Sequence, residues 1–354
     1  MNVGITGHNG FIGYHLWVCL KYLHTINVVK IERDFSNVNE CDIIVHLAEK
    51  NRGNDHEVYS NNIKSCEDLI NNFNGQKIIY ASSTHENDTS IYGKYRRENK
   101  QKFKDWSIKN NSEFVSLQIP NVFGPFCKPN YNSFIATFCY NLINDKEIII
   151  NENPRWINEI NLVYVQSLCE QIVNVIKGST NDVIKPDFSA TVSSIHKKLS
   201  KFKEQYIDNN TIPQLNDIND TNLFNTFRSY MNDRLFSMKS HSDERGTLSE
   251  TVRTISGGQS FVSTTRPNHV RGQHFHFRKL ERFCVLSGKA EINLRKIGTD
   301  EVITYNVDGD NVQFIDMPIL YTHNIKPVDD DIVAMFWVNE LFDENDIDTY
   351  WEEV

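Results

Sequence analysis

Two histidines and a glutamate stand close together in the stretch GQHFHFRKLERFCVLSG, which runs from residue 272 to 288. Side chains two residues apart on a β-strand point to the same face, so His274 and His276 can bind one metal ion together. Glu281 follows five residues later, and His323 lies further downstream. Three imidazoles and one carboxylate suit Zn, Fe, Mn or Ni, and the ligand types do not choose among these ions. We take zinc as the working assignment.

A glycine-rich stretch, ITGHNGFIG, opens the chain and places Gly7, Gly10 and Gly13 between a short apolar run and a helical pattern. Glycines at this spacing let the backbone turn tightly, bring a pyrophosphate close to bare amides and aim a helix N-terminus at its charge. The strand-turn-helix context therefore predicts a nucleotide-binding loop, with Phe11 and Ile12 beside the cofactor.

The end of the second apolar run, IERD, bears on the choice of nucleotide. Glu32 can hold a ribose 2′-hydroxyl, as NAD sites do, whereas Arg33 can pair with a 2′-phosphate, as NADP sites do. We assign Arg33 to the cofactor and expect NADPH.

Two different architectures must position these residues. The first part of the chain alternates short apolar runs, such as INVVKI, CDIIVHLA and QKIIYASS, with helical stretches, which predicts an α/β domain with a Rossmann-like, doubly wound parallel sheet over residues 1–235. From about residue 236 to 354 the runs are short and β-like, with turns between them, which predicts an all-β sandwich or small barrel. The polar stretch 208–222 is either a connection or a loop of the first domain.

Composition narrows the classes of protein. The 354 residues are too many for one typical core, and a net charge of -9 without a basic stripe argues against a nucleic-acid partner. Seven cysteines without a CxxC pair suit reduced thiols in a reducing compartment. The N-terminus reads as a strand rather than a signal segment, and no apolar run is long enough for a bilayer. We expect a soluble, cytoplasmic protein without a membrane partner.

The first domain resembles the extended short-chain dehydrogenase/reductases that act on nucleotide sugars. The resemblance is carried by the glycine triplet, the CDIIVHLA strand, the IIYASST strand end and the tyrosine of IYGKYR. It implies that Leu47 and Ala48, at the end of the CDIIVHLA strand, and Asn121 contact the cofactor.

The same resemblance implies the catalytic residues of this domain. Ser83 or Thr84 and Tyr92 match the residues that hold a substrate carbonyl or hydroxyl. In that family a lysine four residues after the tyrosine lowers the tyrosine's pKa and binds the nicotinamide ribose, but this position is Arg96 here. Arginine keeps the positive charge, yet its planar fork does not replace an ammonium held at one point. A binding scaffold without reductase activity is therefore the alternative.

The segment PNVFGPFCKPNYNSFIATFCYNL, residues 120–142, is similar to the substrate-side segment of that family. The similarity implies substrate contacts for the polar cluster Lys128, Asn130 and Asn132. A loop and a helix that pack in the core would explain the aromatic residues of this segment but not its polar cluster.

The histidine stretch fits the first cupin motif, and GDNVQFIDMPILYTHNI fits the second. DERGTLSE and VRGQHF are in addition similar to the deoxysugar-nucleotide 3,5-epimerases of the rhamnose pathway, which are also cupins. This second resemblance implies that His274 is a general base and that Arg271 binds substrate, and we add Arg245 as a substrate contact. Those epimerases lack the second histidine and the glutamate, so both roles of His274, ligand and base, stay open.

A reductase domain followed by a cupin resembles the CapF family of bifunctional capsule-sugar enzymes. The resemblance implies C3 epimerisation of UDP-2-acetamido-2,6-dideoxy-L-4-hexulose in the cupin, followed by NADPH-dependent C4 reduction to an L-talo or L-rhamno product. The partner would be this UDP-linked 4-keto-6-deoxy amino sugar, and we expect a homodimer or higher homo-oligomer. The alternatives are an epimerase with a degenerate reductase domain, a metal-dependent cupin oxygenase, and a sugar-sensing module without turnover.

Overall fold

The computed structural model describes residues 1–24, 26–150, 158–231, 240–276, 279, 281–297, 299–318 and 321–354. The chain divides into two compact units, one formed by Met1–Ser200 with Asp217–Met231 and the other by Lys201–Asn216 with Asn232–Val354. The expected boundary between residues 235 and 236 lies outside the described residues. Separate folding of domains 1–235 and 236–354 therefore stays a prediction.

The first unit is built on a five-stranded parallel sheet with the order β2-β1-β3-β4-β5. The strands are β1 (Asn2–Thr6), β2 (Asn27–Lys30), β3 (Ile43–His46), β4 (Lys77–Ser83) and β5 (Glu113–Ile119). Every residue of β3 is buried, as expected for a strand covered on both faces. The strand order reverses beside β1, and sheets of this kind bind ligands at the carboxyl ends of the strands next to such a point.

Seven α-helices belong to the part of the chain that the structure describes. They are α1 (Phe11–Val18), α2 (Asp55–Asn72), α3 (Ile91–Asn110), α4 (Phe134–Ile143), α5 (Val165–Ile176), α6 (Val192–Phe202) and α7 (Ile218–Arg228). A small second sheet contains β6 (Asn121–Phe123), β7 (Ile160–Tyr164) and β8 (Phe188–Ala190). One apolar core contains Leu16 and Ile172, and another contains Phe73 and Phe103. No helix among those described is long and apolar enough to cross a bilayer.

The second unit contains two antiparallel sheets with the orders β16-β13-β18-β11-β10-β9 and β15-β14-β17-β12-β19. The strands are β9 (Ser240–Asp243), β10 (Gly246–Thr254), β11 (Gly258–Thr265), β12 (Arg271–Phe275), β13 (Glu281–Ser287), β14 (Lys289–Lys296), β15 (Val302–Asp308), β16 (Phe314–Met317), β17 (Tyr321–Pro327), β18 (Ile332–Val338) and β19 (Tyr350–Trp351). Their apolar core includes Phe283, Ile292, Ile325 and Phe336. The predicted fold class, a Rossmann-like sheet followed by an all-β cupin, is confirmed.

The polar stretch 208–222 contributes to both units. Ile212 forms a parallel bridge with Thr254, and its amide donates to the Arg253 carbonyl at 2.8 Å. Asp217 then caps α7, because its side chain accepts a hydrogen bond from the amide of Asp220. Residues 201–216 therefore group with the β sheets, whereas the sequence placed them in the first domain.

All seven cysteines are buried free thiols. Burial raises the pKa of the Cys41 thiol and of the Cys127 thiol to about 11. Neutral buried thiols pack as small apolar side chains, as the scattered cysteine pattern predicted.

Candidate functional sites

The glycine loop joins β1 to α1 and is packed too tightly for larger residues. Gly7 has a φ of +68°, and a Cβ on it would lie 2.9 Å from the Cα of Ala48. A Cβ on Gly13 would lie 2.2 Å from the Gly7 carbonyl oxygen. The Gly10 amide donates to that carbonyl at 2.8 Å, and Gly10 occupies the N-cap of α1. The first turn of α1 contains Phe11 and Ile12, so its amides are available to a pyrophosphate.

A buried threonine and histidine fix the loop that follows β3. Oγ1 of Thr6 accepts hydrogen bonds from the amides of Leu47 and Ala48, both at 3.0 Å. Its own hydrogen therefore points to Nδ1 of His46, 2.9 Å away. Burial lowers the pKa of His46 to about 4, so the ring is neutral near pH 7. These bonds hold Ala48 against Gly7. Sequence reasoning missed Thr6 and His46. The signal that could have found them is a polar residue at the end of each of two apolar strands.

A cavity of about 440 Å³ lies beside the glycine loop and the end of β2. It is lined by His8, Asn9, Ile31, Glu32, Arg33 and Asp34. Glu32 and Arg33 are both exposed there. The structure thus brings both candidate ribose contacts to the nucleotide loop, and the preference for a 2′-phosphate stays a prediction.

Tyr92 lies in the first turn of α3, whose N-cap is Ser90. Ser83, at the end of β4, lies close enough to act on the Tyr92 hydroxyl and opposes the rise in its pKa. Ser83 is buried, whereas Thr84 is exposed. Ser83 is therefore the residue of the two that the structure brings to the tyrosine. Burial raises the pKa of Tyr92, and the positive charge of Arg96 opposes that shift.

Arg96 lies one helical turn after Tyr92, and its guanidinium carbon is 4.3 Å from the centre of the tyrosine ring. Nη2 of Arg96 lies 2.5 Å from Oε2 of Glu49, and Nη1 donates to the Ala81 carbonyl at 2.9 Å. Arg96 is 5% exposed and the Glu49 side chain 14%, so this ion pair is buried. Sequence reasoning missed Glu49, although it directly follows the CDIIVHLA strand. Lys94 does not replace the lysine that the resembled family has at position 96, because its ammonium lies over a tyrosine ring of α2.

Asn121 is exposed at the start of β6. Three residues later, Gly124 has a φ of +157°, and a Cβ on it would lie 2.4 Å from Cγ1 of Val165. The same Cβ would lie 3.3 Å from the Phe11 ring at the start of α1. The chain therefore passes close to the helix that carries the nucleotide loop, which places Asn121 in the same region.

The predicted substrate segment surrounds a second cavity, of about 360 Å³, in the first unit. Asn130 and Asn132 line it, and the Asn130 amide donates to a threonine hydroxyl of α4 at 2.9 Å. The Lys128 ammonium lies 5.5 Å from the Tyr131 ring, and the Arg52 guanidinium lies 5.2 Å from the same ring. The structure thus adds Arg52, which sequence reasoning missed, to the predicted polar cluster.

The four predicted metal ligands meet in the second unit. His274 on β12 lies directly opposite His323 on β17. Oε2 of Glu281 lies 3.1 Å from Nε2 of His276, 3.0 Å from Nε2 of His323 and 3.9 Å from Nε2 of His274. One ligand atom from each residue lies within 4.8 Å of all the others. The arrangement is compact enough for one ion.

Three atoms of this cluster are buried, and no residue in the described part of the chain outside the cluster forms a hydrogen bond with them. They are Nε2 of His276, Nε2 of His323 and Oε2 of Glu281. Burial would raise the pKa of Glu281, but His276 and His323 hold it well below its usual range. Converging buried imidazole nitrogens and a carboxylate fit a divalent cation. The residues therefore fit the predicted metal.

Backbone carbonyls orient two of the imidazoles. Nδ1 of His276 lies 2.5 Å from the Asp348 carbonyl oxygen, and Nδ1 of His323 lies 3.2 Å from the Tyr321 carbonyl oxygen. Donation from Nδ1 leaves the Nε2 lone pair facing the cluster. Asp348 has a φ of +40°, and its carboxylate accepts from the Lys279 amide at 3.0 Å. Sequence reasoning missed Asp348, because nothing in a cupin motif points to a residue so far along the chain.

His274 differs from the other two histidines in exposure. Its side chain is 23% exposed, against 4% for His276 and 1% for His323. Burial and the neighbouring His323 lower the pKa of His274 to about 4, so its ring is neutral near pH 7. His274 therefore lies on the open side of the cluster with a nitrogen lone pair able to accept a proton.

A β-bulge brings Arg271 to the same face of β12 as His274. The register with β17 shifts between Gly272 and His274, and Gly272 has a φ of +95°. Arg271 pairs with Ile325, and His274 pairs with His323. Partners two residues apart on β17 share a face, so Arg271 and His274 do as well.

Arg245 lies in the turn between β9 and β10. Its Nη2 is 2.6 Å from Oδ2 of Asp243, and both side chains are largely exposed, so this pair adds little stability. The charge of Arg245 acts on Arg271, whose pKa is lowered by burial and then by this neighbour. The two predicted substrate-binding arginines therefore lie in one region.

These features define the class of protein: a short-chain-reductase-like nucleotide-binding unit joined to a cupin. Residues 241–350 match the family described as Polysaccharide biosynthesis C-terminal domain. A UDP-2-acetamido-2,6-beta-L-arabino-hexul-4-ose reductase from Pseudomonas aeruginosa is 31% identical, with 99% of this chain and 98% of the relative covered. The crystal structure of the capsular polysaccharide assembling protein CapF from Staphylococcus aureus is 33% identical, with a TM-score of 0.87 and 100% of both chains covered. The chain belongs to the CapF family of capsular polysaccharide proteins.

A more distant likeness concerns the first unit alone. A UDP-glucuronic acid 4-epimerase from Bacillus cereus, solved with UDP-glucuronic acid and NAD, covers 58% of this chain and 84% of its own. The TM-score is 0.51 and the identity 17%. This likeness shows the fold of the first unit.

Proposed function

We propose that this protein is a bifunctional nucleotide-sugar enzyme. Its cupin unit epimerises C3 of UDP-2-acetamido-2,6-dideoxy-L-4-hexulose, and its first unit then reduces the C4 ketone with NADPH. The product is a UDP-N-acetyl-6-deoxy-L-hexosamine of the L-talo or L-rhamno series. The full-length relationship to a hexulose reductase and to CapF supports the substrate class. The observation that carries the proposal is the presence of two separate clusters, each with the groups for one of the two steps.

The first cluster suits ketone reduction. The glycine loop would hold a nicotinamide cofactor, which would supply the hydride for C4. Tyr92 donates its proton to the C4 oxygen as the hydride arrives, and Ser83 hydrogen-bonds the same oxygen. Because burial raises the pKa of Tyr92, its hydroxyl is protonated near pH 7, as a proton donor must be. Reduction therefore needs no other titratable group at C4.

The second cluster suits proton abstraction beside a ketone. We assign His276, Glu281 and His323 as metal ligands, since three protein ligands with an open position are typical of catalytic metal sites. A divalent ion held by these three residues would polarise the C4 carbonyl as a Lewis acid. His274, neutral and on the open side, takes the C3 proton, and Arg271 on the same face binds the substrate. A proton from solvent then adds to the opposite face and inverts C3, and His274 releases the proton that it took to solvent.

The chemistry fixes the order of the two steps. The C4 ketone acidifies the C3 proton, so epimerisation must come before the ketone is reduced. Reduction removes the acidifying carbonyl and makes the new C3 configuration permanent. The expected homo-oligomer and the cytoplasmic location stay predictions.

NMR analysis of the product in D₂O tests this function. Without NADPH, we expect deuterium at C3 of the 4-keto sugar nucleotide. With NADPH, the reduced product should carry deuterium at C3 and the cofactor's hydride at C4. A product that stays fully protiated at C3 would exclude epimerisation, and an absence of NADPH oxidation would leave the first unit as a scaffold. Oxygen uptake, measured in parallel, would instead indicate a cupin oxygenase.

A further inference from the structure

The buried ion pair between Glu49 and Arg96 is not explained by nucleotide binding alone. Arg96 stands where the short-chain reductases that this unit resembles have a lysine. Glu49 follows β3, Arg96 lies on α3, and 47 residues separate them in sequence. The guanidinium is anchored at Nη2 by Glu49 and at Nη1 by the Ala81 carbonyl. Its central carbon lies over the Tyr92 ring, 4.3 Å from the ring centre.

We propose that Glu49 is a positioning residue of the reductase site, which acts through Arg96 and holds the guanidinium against Tyr92. In this inference, which rests on the proposed reductase activity, Glu49 and Arg96 together replace the single lysine. A lysine ammonium is a compact charge with three rotatable donors, whereas the arginine donors point in fixed directions from a planar fork, so the partners in those directions set where the charge lies.

Burial makes the counter-ion necessary. Arginine is not deprotonated in proteins, so a buried Arg96 without Glu49 would be an uncompensated charge. The Glu49 carboxylate compensates this buried charge and also selects one orientation of the guanidinium. Fixing the orientation matters because small displacements of a catalytic group cost large factors in rate.

The pair also changes the charge around Tyr92. The groups that face the tyrosine are Arg96 and Tyr95 on α3, Ser83 at the end of β4, and Glu49 after β3. The positive charge of Arg96 and the negative charge of Glu49 leave the surroundings of the tyrosine neutral. A lysine without a counter-ion would leave them positive. A neutral surrounding keeps the tyrosine in its protonated form to higher pH, which suits donation to a ketone.

Three variants test the proposal: Glu49→Gln, Arg96→Gln and the double variant, each assayed for NADPH oxidation with the 4-keto sugar nucleotide. For Glu49→Gln we expect kcat to fall by about 10- to 100-fold, with the KM of the sugar nucleotide nearly unchanged. The alkaline limb of kcat should move to lower pH. If Glu49 acts only through Arg96, the double variant should match Arg96→Gln within about twofold. Arg97→Gln is the control, since Arg97 binds the carbonyls of Glu86 and Asp88 instead.

The outcomes separate this inference from the proposed function. Full NADPH oxidation by Tyr92→Phe would end the reductase proposal itself. If Tyr92→Phe is inactive but Glu49→Gln keeps the parent's kcat and pH profile, only the positioning role of Glu49 is wrong. A double variant well below Arg96→Gln would show that Glu49 contacts substrate or cofactor directly. Should Glu49→Gln fail to fold, Glu49→Asp takes its place, because it keeps the negative charge and shortens the side chain by one methylene group. A lowered kcat in Glu49→Asp supports the positioning role, and the parent's kcat and pH profile would contradict it.

Discussion

Oε2 of Glu281 lies 3.1 Å from Nε2 of His276, although the two residues come from different sheets of the cupin unit. Glu281 begins β13, and His276 directly follows β12 in the facing sheet. An ion held by this cluster therefore ties the two sheets together. Its removal should affect the stability of this unit as well as its chemistry.

The first prediction concerns metal content. Protein purified without chelators should contain close to one transition metal per chain, and His276→Ala or Glu281→Ala should abolish binding, because each removes a converging ligand. Elemental analysis measures the ion, and a chelator should lower the Tm of the parent. His241→Ala, which changes an exposed histidine of β9, is the control. A metal-free protein with full C3 exchange would contradict the assignment.

The second prediction separates the two activities. Tyr92→Phe should lower NADPH oxidation by about 10²- to 10⁴-fold, the usual contribution of a positioned proton donor. Deuterium exchange at C3 should be unchanged, because the tyrosine serves C4 alone. Tyr59→Phe is the control, since that hydroxyl binds Glu98 on the helix surface. Loss of both activities in Tyr92→Phe would mean that the two sites are not separable.

The third prediction concerns the role of His274. His274→Asn should abolish the C3 label in D₂O and keep the bound metal, because three buried ligands remain. The variant should still reduce a substrate that has already been epimerised. Elemental analysis decides between the two roles: loss of the ion together with the label would make His274 a ligand.

The fourth prediction links His46 to pH-dependent stability. Its pKa is about 4 in the folded protein against 6.5 ordinarily, so between these values the unfolded chain binds more protons. Stability therefore falls as pH falls through this window, by about 2 kcal/mol between pH 7 and pH 5 from this group. His46→Asn keeps an acceptor for Thr6 and should flatten this part of the dependence. Urea unfolding at both pH values checks it, and an equal slope in the variant would contradict the assignment.

The fifth prediction concerns the segment that supports His276. Asp348→Ala removes the carboxylate that binds the Lys279 amide and disfavours the positive φ at this position. The carbonyl that orients His276 should shift, and metal affinity should fall by about 10- to 100-fold. Competition with a chelator of known affinity measures the effect. Asp343→Ala, which changes an exposed carboxylate of the same segment, should leave the affinity unchanged.

Local spacing explains what could be predicted from the sequence. The glycines of the triplet lie three positions apart, and the two histidines of the HxH pair lie two positions apart. One turn is therefore enough to bring the glycines together, and one strand is enough for the histidines. The alternation of apolar runs with helical stretches is also a local pattern, and it predicted the fold class. Ser83 and Thr84 could not be told apart, because the choice depends on which side chain turns inward at the end of β4.

Contacts between distant elements could not be predicted. Glu49 meets Arg96 across 47 residues, and the Asp348 carbonyl meets His276 across 72. Such pairs depend on the path of the chain, which no short pattern encodes. Residues 201–216 joined the β sheets for a similar reason, since the partner of Ile212 lies on β10.

A protein with lysine at position 96 can reach the Glu49–Arg96 pair by two orders of substitution. Either the arginine at 96 or the glutamate at 49 comes first, and the two orders are not equivalent. An arginine that arrives first is a permanent charge buried without a counter-ion. A glutamate that arrives first can be buried as a neutral acid, because burial raises the pKa of Glu49. We therefore expect mutational paths into this pocket to change position 49 before position 96. A library built on the lysine form should tolerate glutamate at 49 alone far better than arginine at 96 alone.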